Sequence, residues 1–261
     1  RSMTEGALQI VKRGPDGNYI ACGNVLRDIV SPCGKKKIVL LSIAGAFRKG
    51  KSFFLSLCLS YLQSRNGGPE FLRAGSDIGG FAWRQSSAPV TDGIYVWHEP
   101  FSLTVGDEEV AILLMDSEGA FDSQSSVQQC ATVFALATLL SSVSIFNVWS
   151  DIMEDSLQHL QFFSSFAKLG KSEASGFQTL IFLVRDFQNA ELYGLAHGKE
   201  HLAAKMAVNS SMDAAMKKLR SDLKETFARM ECCLLPRPGK SVARGSADKF
   251  TVEDLDGNFK K

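Results

Sequence analysis

Residues Gly45-Ala46-Phe47-Arg48-Lys49-Gly50-Lys51-Ser52 match the pattern G-x-x-x-x-G-K-[ST], and their flanks restrict the chain to few folds. Lys37 to Ala44 ahead of them is an apolar run of strand length. Phe53 to Leu62 after them is an apolar run of helix length. Strand, glycine loop and helix in that order predict a phosphate cradle. The glycines let the backbone curl until successive N–H groups face phosphate oxygens, and the helix start adds its dipole. In such a loop Lys51 reaches the β- and γ-phosphates and Ser52 turns its hydroxyl to Mg²⁺, so the pattern predicts a nucleoside triphosphate site. A Gly-Lys-Ser turn with no ligand is the plainer alternative, and the flanks weigh against it.

Composition excludes several other classes. A formal net charge of +1 argues against nucleic-acid binding driven by bulk charge, and Lys35-Lys36-Lys37 reads as the solvated start of a strand. Six cysteines, Cys22, Cys33, Cys58, Cys130, Cys232 and Cys233, show neither a C-x-x-C pair nor metal-ligand spacing, which suits a reducing compartment. Cys58 is expected to pack in the core. No apolar run is long enough to cross a membrane.

Along the chain, Leu8 to Lys12 and Tyr19-Ile20 read as a hairpin around Gly14-Pro15-Asp16-Gly17, followed by a short helix from Asn24 to Val30. Ser64 to Ser87 reads as long loops. Gly93 to Phe101 is strand-like, with Ile94, Val96 and His98 alternating against Tyr95 and Trp97. Val110 to Met115 is a strand buried on both faces. Helices are expected over Cys130 to Leu140, Glu154 to Leu169, Glu200 to Val208 and Ser211 to Met230. Strands are expected over Val143 to Val148, Thr179 to Val184 and Cys232 to Leu235. This alternation predicts an α/β fold with a mainly parallel sheet and helices on both faces. Phe162, Phe163 and Phe166 lie at helical spacing and are expected to pack on the sheet.

Three further positions carry chemistry. Met115-Asp116-Ser117-Glu118-Gly119 ends a buried strand and places Asp116 at the sheet edge where ligands sit. Asp116 would hold Mg²⁺ through a water, and the Gly119 N–H would reach the γ-phosphate. Thr91, just ahead of a strand, can give Mg²⁺ a second hydroxyl when the γ-phosphate is present, with a turn threonine as the alternative. Asp186, ending the run Phe182-Leu183-Val184-Arg185-Asp186, can accept the N1–H and N2–H of guanine. Adenine has no matching donors, which disfavours ATP. His98, His159, His197 and His201 form no base or ligand set, and Trp83 and Trp97 read as core or interface aromatics.

Arg185-Asp186 stands where small GTPases usually have N-K-x-D. With that substitution and the order of the motifs, the sequence resembles the atlastin and guanylate-binding-protein branch of the dynamin-like large GTPases, most of all RING-finger, membrane-anchored atlastin relatives. The likeness rests on Ala44 to Ser52, Leu113-Leu114-Met115-Asp116, Phe121-Asp122-Ser123-Gln124-Ser125, Leu157-Gln158-His159-Leu160-Gln161 and Ile181 to Asp186. It implies a P-loop NTPase fold, an enlarged Ras-like GTPase domain occupying residues 1–261. The family's helical middle domain and membrane anchor would lie outside it. It further implies GTP as substrate, GDP as product, Mg²⁺ as cofactor and a nucleotide-dependent homodimer. Nucleic acid is not an expected partner. The setting implied is the cytosolic face of an internal membrane, endoplasmic reticulum or endosome, with membrane contact only through the missing regions.

By the same resemblance Arg48 is an arginine finger, with a surface arginine as the alternative. Arg48, Lys51 and Thr91 form the catalytic set, and Ser52, Thr91 and Asp116 the Mg²⁺ set. Gly45, Phe47, Arg48, Lys49, Gly50, Lys51, Ser52, Phe53, Asp116, Gly119, Arg185, Asp186 and Pro236 line the nucleotide. Arg185 and Asp186 would frame the guanine, capped by Leu234-Leu235-Pro236-Arg237-Pro238-Gly239. Two departures bear on rate. Ala120 stands where many small GTPases have a water-orienting glutamine, and Pro89 where guanylate-binding proteins have a serine, although Ser86 and Ser87 are near. A GTP-binding switch with negligible hydrolysis is therefore the rival reading.

Overall fold

The computed structural model describes residues 6–46, 49–64, 78–81, 93–117, 126–169, 177–240, 242 and 251–260. The loops expected over 64–87 fall mostly outside this set. Strands β1 (Ala7–Arg13) and β2 (Tyr19–Ala21) form the expected antiparallel hairpin, and Asp16 Oδ1 accepts the Asn18 N–H within its turn. Helix α1 (Gly23–Val30) runs into a tight 3₁₀ turn at Ser31–Cys33, where Pro32 can lose its N–H without cost. Then follow β3 (Lys37–Gly45) and α2 (Lys51–Gln63), the elements that flank the glycine loop.

The strand-like stretch from Gly93 resolves into two strands, β4 (Ile94–Trp97) and β5 (Phe101–Val105). Both pair antiparallel with the same edge of β6 (Glu108–Ser117). β4 takes Met115 to Ser117 and β5 takes Glu108 to Ile112, so the strand must break between them. His98 sits at that break, where its Nδ1 meets the Gly6 backbone. Period-2 alternation across Ile94 to His98 hides the break, because Trp97 is itself buried, on the opposite face from Ile94 and Val96.

The second half alternates as α3 (Val127–Leu140), β7 (Val143–Trp149), α4 (Glu154–Leu169), β8 (Phe177–Arg185), α5 (Leu195–Lys205), α6 (Ala214–Thr226) and β9 (Phe227–Leu234). Helix α3 opens with a reciprocal cap in which Ser126 and Gln129 satisfy each other's backbone N–H groups. Helix α6 ends at Thr226 rather than Met230, and β9 begins at once. Phe227 leaves the helix to pair with Phe177, ring to ring at 5.7 Å, as the first rung of a parallel ladder. Pairing with β8 overrides the helical reading of Phe227 to Met230. Helix α5 begins at Leu195, earlier than Glu200, with Gly194 at its cap.

Among the described residues the sheet has nine strands, in the order β2-β1-β4-β6-β3-β7-β8-β9 with β5 beside β6. Its body, β6-β3-β7-β8-β9, is parallel, and the antiparallel pairs gather at the β1–β2 end. Alternate residues of the parallel strands go to opposite faces. Phe146, Val148, Phe182 and Val184 meet α3 and α4, through Phe134, Leu157, Leu160 and Phe163. Ile43, Leu114, Ile145 and Leu183 meet Leu55 and Leu59 of α2. Each fully buried Leu, Ile or Phe contributes ~1.5–3 kcal/mol relative to exposure, which fixes the register of these strands. Of the three phenylalanines on α4, Phe163 and Phe166 pack on this core, whereas Phe162 is 48% exposed. One residue before Phe163 is a step of ~100° around the helix, which carries Phe162 off the buried stripe. Cys58 is partly buried against the α2 cluster, and all six cysteines are free thiols. Among the described residues no helix is long and apolar enough to cross a membrane.

Candidate functional site: a phosphate loop at the C-terminal sheet edge

Between β3 and α2 the loop is shaped by two glycines in the left-handed half of backbone space. Gly45 has φ +142° and lies so close to β7 that a Cβ there would come within 2.3 Å of the Asn147 carbonyl oxygen. Gly50 caps α2 at φ +75°. The Phe54 N–H donates to Gly50 O at 3.1 Å as the first turn of α2 closes. The N–H groups ahead of it are those a helix start offers to an anion.

Lys51 opens α2 but is only 7% exposed, and its Nζ donates to Ala46 O at 3.3 Å. The lysine thus reaches back across its own loop, the posture needed to meet a phosphate lying in that curl. Ser52 follows, and its Oγ donates to Asp116 Oδ2 at 2.5 Å. Asp116 is buried at the end of β6, where its Oδ1 accepts the Ser117 N–H at 3.0 Å, while Ser117 Oγ is anchored on Ile43 O at 2.8 Å. A hydroxyl and a carboxylate converging at the rim of a phosphate loop form an oxygen donor pair suited to a hard divalent cation such as Mg²⁺. The residues present fit both the phosphates and the metal.

Two deeper side chains hold the loop from below. Asn147 of β7 donates its Nδ2–H to Lys49 O at 3.0 Å, and Arg185, the last residue of β8, donates from Nη1 to Gly50 O at 3.0 Å. Arg185 is 3% exposed, and its guanidinium carbon lies 5.7 Å from the centre of the Phe53 ring. Burial pulls its pKa down to about 10, against the upward pull of Asp186, so it remains cationic at neutral pH. Phe53 turns its ring inward, into a cluster with Leu57, Ile78, Val242 and Leu255. What it can offer a nucleotide is therefore its backbone. Lys49 Nζ stands 4.2 Å above the ring of Trp149, a half-exposed aromatic at the end of β7.

Asp186 lies one residue beyond β8 with φ +58°, a conformation that aspartate tolerates better than most side chains. Arg237 Nε is 3.6 Å from its Oδ1, and Gln188 Nε2 donates to its carbonyl at 3.0 Å. Next along, the Phe187 N–H donates to Leu235 O at 2.9 Å, which ties the Asp186 loop to the segment holding buried Pro236. Of the pair that the resemblance assigns to the base, Asp186 stands at the strand edge, whereas the Arg185 guanidinium lies beneath the phosphate loop. Behind this edge, Ser150 N–H donates to Arg185 O at 2.7 Å. The Asp151 carboxylate is held by His201 Nε2 at 2.7 Å and by Lys205. Burial raises the Asp151 pKa, but the hydrogen bonds from Lys205 and His201 outweigh it and leave the carboxyl below the usual aspartate range.

Gly45, Lys49, Gly50, Lys51, Ser52, Phe53, Asp116, Arg185, Asp186 and Pro236 therefore all gather at the C-terminal edge of the parallel strands. Phe47, Arg48, Thr91 and Gly119 lie outside the described residues. Sequence reasoning missed Asn147 and Trp149. The signal for Asn147 was present, a lone amide inside the apolar run Val143 to Val148. Also missed was the segment carrying Val252, Leu255 and Phe259, which packs on the start of α2 with Phe259 6.3 Å from Phe53.

A glycine loop from a central parallel strand into a helix, a Ser–Asp pair at its head and an aspartate closing the next strand but one make this a P-loop domain of the GTPase class. Residues 23–261 match the family described as guanylate-binding protein, N-terminal domain, and the chain belongs to that family. Among similar proteins, human Atlastin-3 is 42% identical over 237 residues, covering 86% of this chain and 43% of its own. Human Atlastin-2 is 40% identical over 229 residues, covering 86% of this chain and 39% of its own. Atlastin-1 of Bos taurus is 38% identical over 249 residues, covering 94% of this chain and 43% of its own. The chain thus spans less than half the length of these curated relatives.

Proposed function

We propose that this chain hydrolyses GTP to GDP and phosphate with Mg²⁺, and that the nucleotide cycle drives head-to-head dimerisation. The observation that carries the reading is the Ser52–Asp116 contact of 2.5 Å beside a buried Lys51 on a curled glycine loop. Lys51 and the first-turn N–H groups of α2 bind the β- and γ-phosphates. Ser52, Asp116 and Thr91 would hold Mg²⁺. The chemistry such an ion would supply is neutralisation of phosphate charge. Asp186 accepts the guanine N1–H and N2–H, with Pro236 beside it. Arg48, within the loop, stabilises the charge that develops on the transferring phosphoryl group.

The whole stretch 1–261 acts as one GTPase domain. A helical middle domain and membrane anchor belong to the rest of a longer, atlastin-like, membrane-associated protein. Dimerisation and membrane placement rest on the family. Single-turnover phosphate release from GTP with and without Mg²⁺ tests the catalytic reading. Tight GTP binding with no phosphate release above the uncatalysed rate makes the protein a binding switch. Equal competition by ATP removes the guanine assignment.

A further inference from the structure

The two glycines that define the phosphate loop are each pressed against one buried polar residue of another strand, Gly45 against the backbone of Asn147 and Gly50 against the side chain of Arg185. Gly45 faces Asn147 across the β3–β7 ladder, and a Cβ on it would fall 2.3 Å from the Asn147 carbonyl oxygen and 3.2 Å from its Cβ. Gly50 faces Arg185, whose Nη1 would lie 2.9 Å from an added Cβ. The side chains of these two residues then donate to consecutive loop carbonyls, Asn147 to Lys49 O and Arg185 to Gly50 O, both at 3.0 Å.

In a trans peptide the C=O and the following N–H point in opposite directions. Drawing the Lys49 and Gly50 carbonyls down toward β7 and β8 therefore turns the Gly50 and Lys51 N–H groups up, toward the face where phosphate would lie. Among the described residues, Asn147 Oδ1 and Arg185 Nε are buried without hydrogen-bond partners, so the bonds these two side chains make there are the ones to the loop carbonyls. We infer that Asn147 and Arg185 are positioning residues that set the phosphate loop, and that Arg185 serves the phosphate end of the nucleotide rather than the base. This rests on the GTP-site reading above.

The test compares binding of Mg²⁺–pyrophosphate, GDP and IDP by titration calorimetry. IDP lacks the 2-amino group that Asp186 would read. Arg185→Lys and Asn147→Ala should each weaken pyrophosphate and GDP by about the same factor, on the order of 10-fold or more for a lost charged or buried hydrogen bond. Both should leave the GDP-to-IDP affinity ratio at the wild-type value. Asn147→Asp, which sets an acceptor against the Lys49 carbonyl, should be worse than Asn147→Ala. Asp186→Asn should lower the ratio.

Wild-type pyrophosphate affinity in both Arg185→Lys and Asn147→Asp overturns the inference. So does an Arg185→Lys protein whose loss appears only in the GDP-to-IDP ratio, for that places Arg185 at the base. If Arg185→Lys does not fold, as judged by thermal unfolding without nucleotide, the two Asn147 variants decide by the same criteria. A wild-type protein that binds pyrophosphate without preferring GDP over IDP sinks the guanine reading alone and leaves the pyrophosphate comparison standing.

Discussion

The hydroxyl of Ser52 and the carboxylate of Asp116, 64 residues apart in sequence, meet at 2.5 Å where the start of α2 passes the end of β6. Parallel pairing of β3 with β6, register Ile43 to Asp116, brings them together. If the pair holds Mg²⁺, Ser52→Ala and Asp116→Asn should each raise the Mg²⁺ concentration for half-maximal phosphate release. The expected shift is at least on the order of 10–100-fold, the range already seen for residues that only orient a metal's ligands. The double variant should cost less than the sum of the two. A Mg²⁺ titration unchanged in both single variants would place the metal elsewhere.

Lys51→Ala should abolish measurable nucleotide binding while the domain stays folded. The buried ammonium spans the loop to Ala46 O, and neutralising phosphate charge there falls to it. Retention of GTP affinity within about threefold, only ~0.6 kcal/mol, would end the phosphate-loop reading.

Asp186→Asn should weaken GTP and relatively favour xanthosine triphosphate, whose 2-carbonyl an amide can donate to. Asparagine also tolerates the φ of +58°, so the loop should keep its path. We expect a shift in the GTP-to-XTP affinity ratio of at least tenfold, ~1.4 kcal/mol. A competition assay that returns the wild-type ratio moves guanine recognition away from this residue.

Arg48→Ala should leave GTP affinity within a few-fold and cut turnover by on the order of 10³–10⁵, the contribution of arginine fingers in this reaction class. Because a partner covering the nucleotide would exclude water around Arg48, wild-type specific activity should rise with protein concentration. The dimer should appear with a GTP analogue or a GDP–fluoride mimic and loosen with GDP. Sedimentation showing a monomer in every nucleotide state, with flat specific activity, removes the dimer from the mechanism.

Away from the nucleotide, Arg220 of α6 makes a two-pronged contact with Glu154 of α4 at 3.0 and 2.8 Å, and its Nε donates to Lys205 O at 3.1 Å. The Arg220 side chain is 6% exposed, so Glu154→Ala strands a buried cation among three helices. It should cost about 2–4 kcal/mol, below the full value for a buried pair because Glu154 is 26% exposed. Urea unfolding with an unchanged slope measures it, and a loss under about 0.5 kcal/mol would class the contact with ordinary surface pairs.

The loop, its strand and helix, the carboxylates at the ends of β6 and β8, and the α/β alternation were all written in local sequence. Each depends on short-range chemistry: glycines that permit positive φ, apolar runs of strand or helix length, and an acidic residue where an apolar run stops. Tertiary structure alone decided where those runs end and what lies beneath the loop. Phe227 to Met230 leave the α6 pattern because β8 offers a parallel edge, and β4 and β5 separate because both must share one edge of β6. Asn147 and Arg185 acquire their partners, Lys49 O and Gly50 O, only when β7 and β8 are laid beside β3. A backbone carbonyl is the same in every residue and leaves no mark in the sequence, so Asn147 could be seen there only as an unexplained amide in a buried strand, and Arg185 only as a partner of the base.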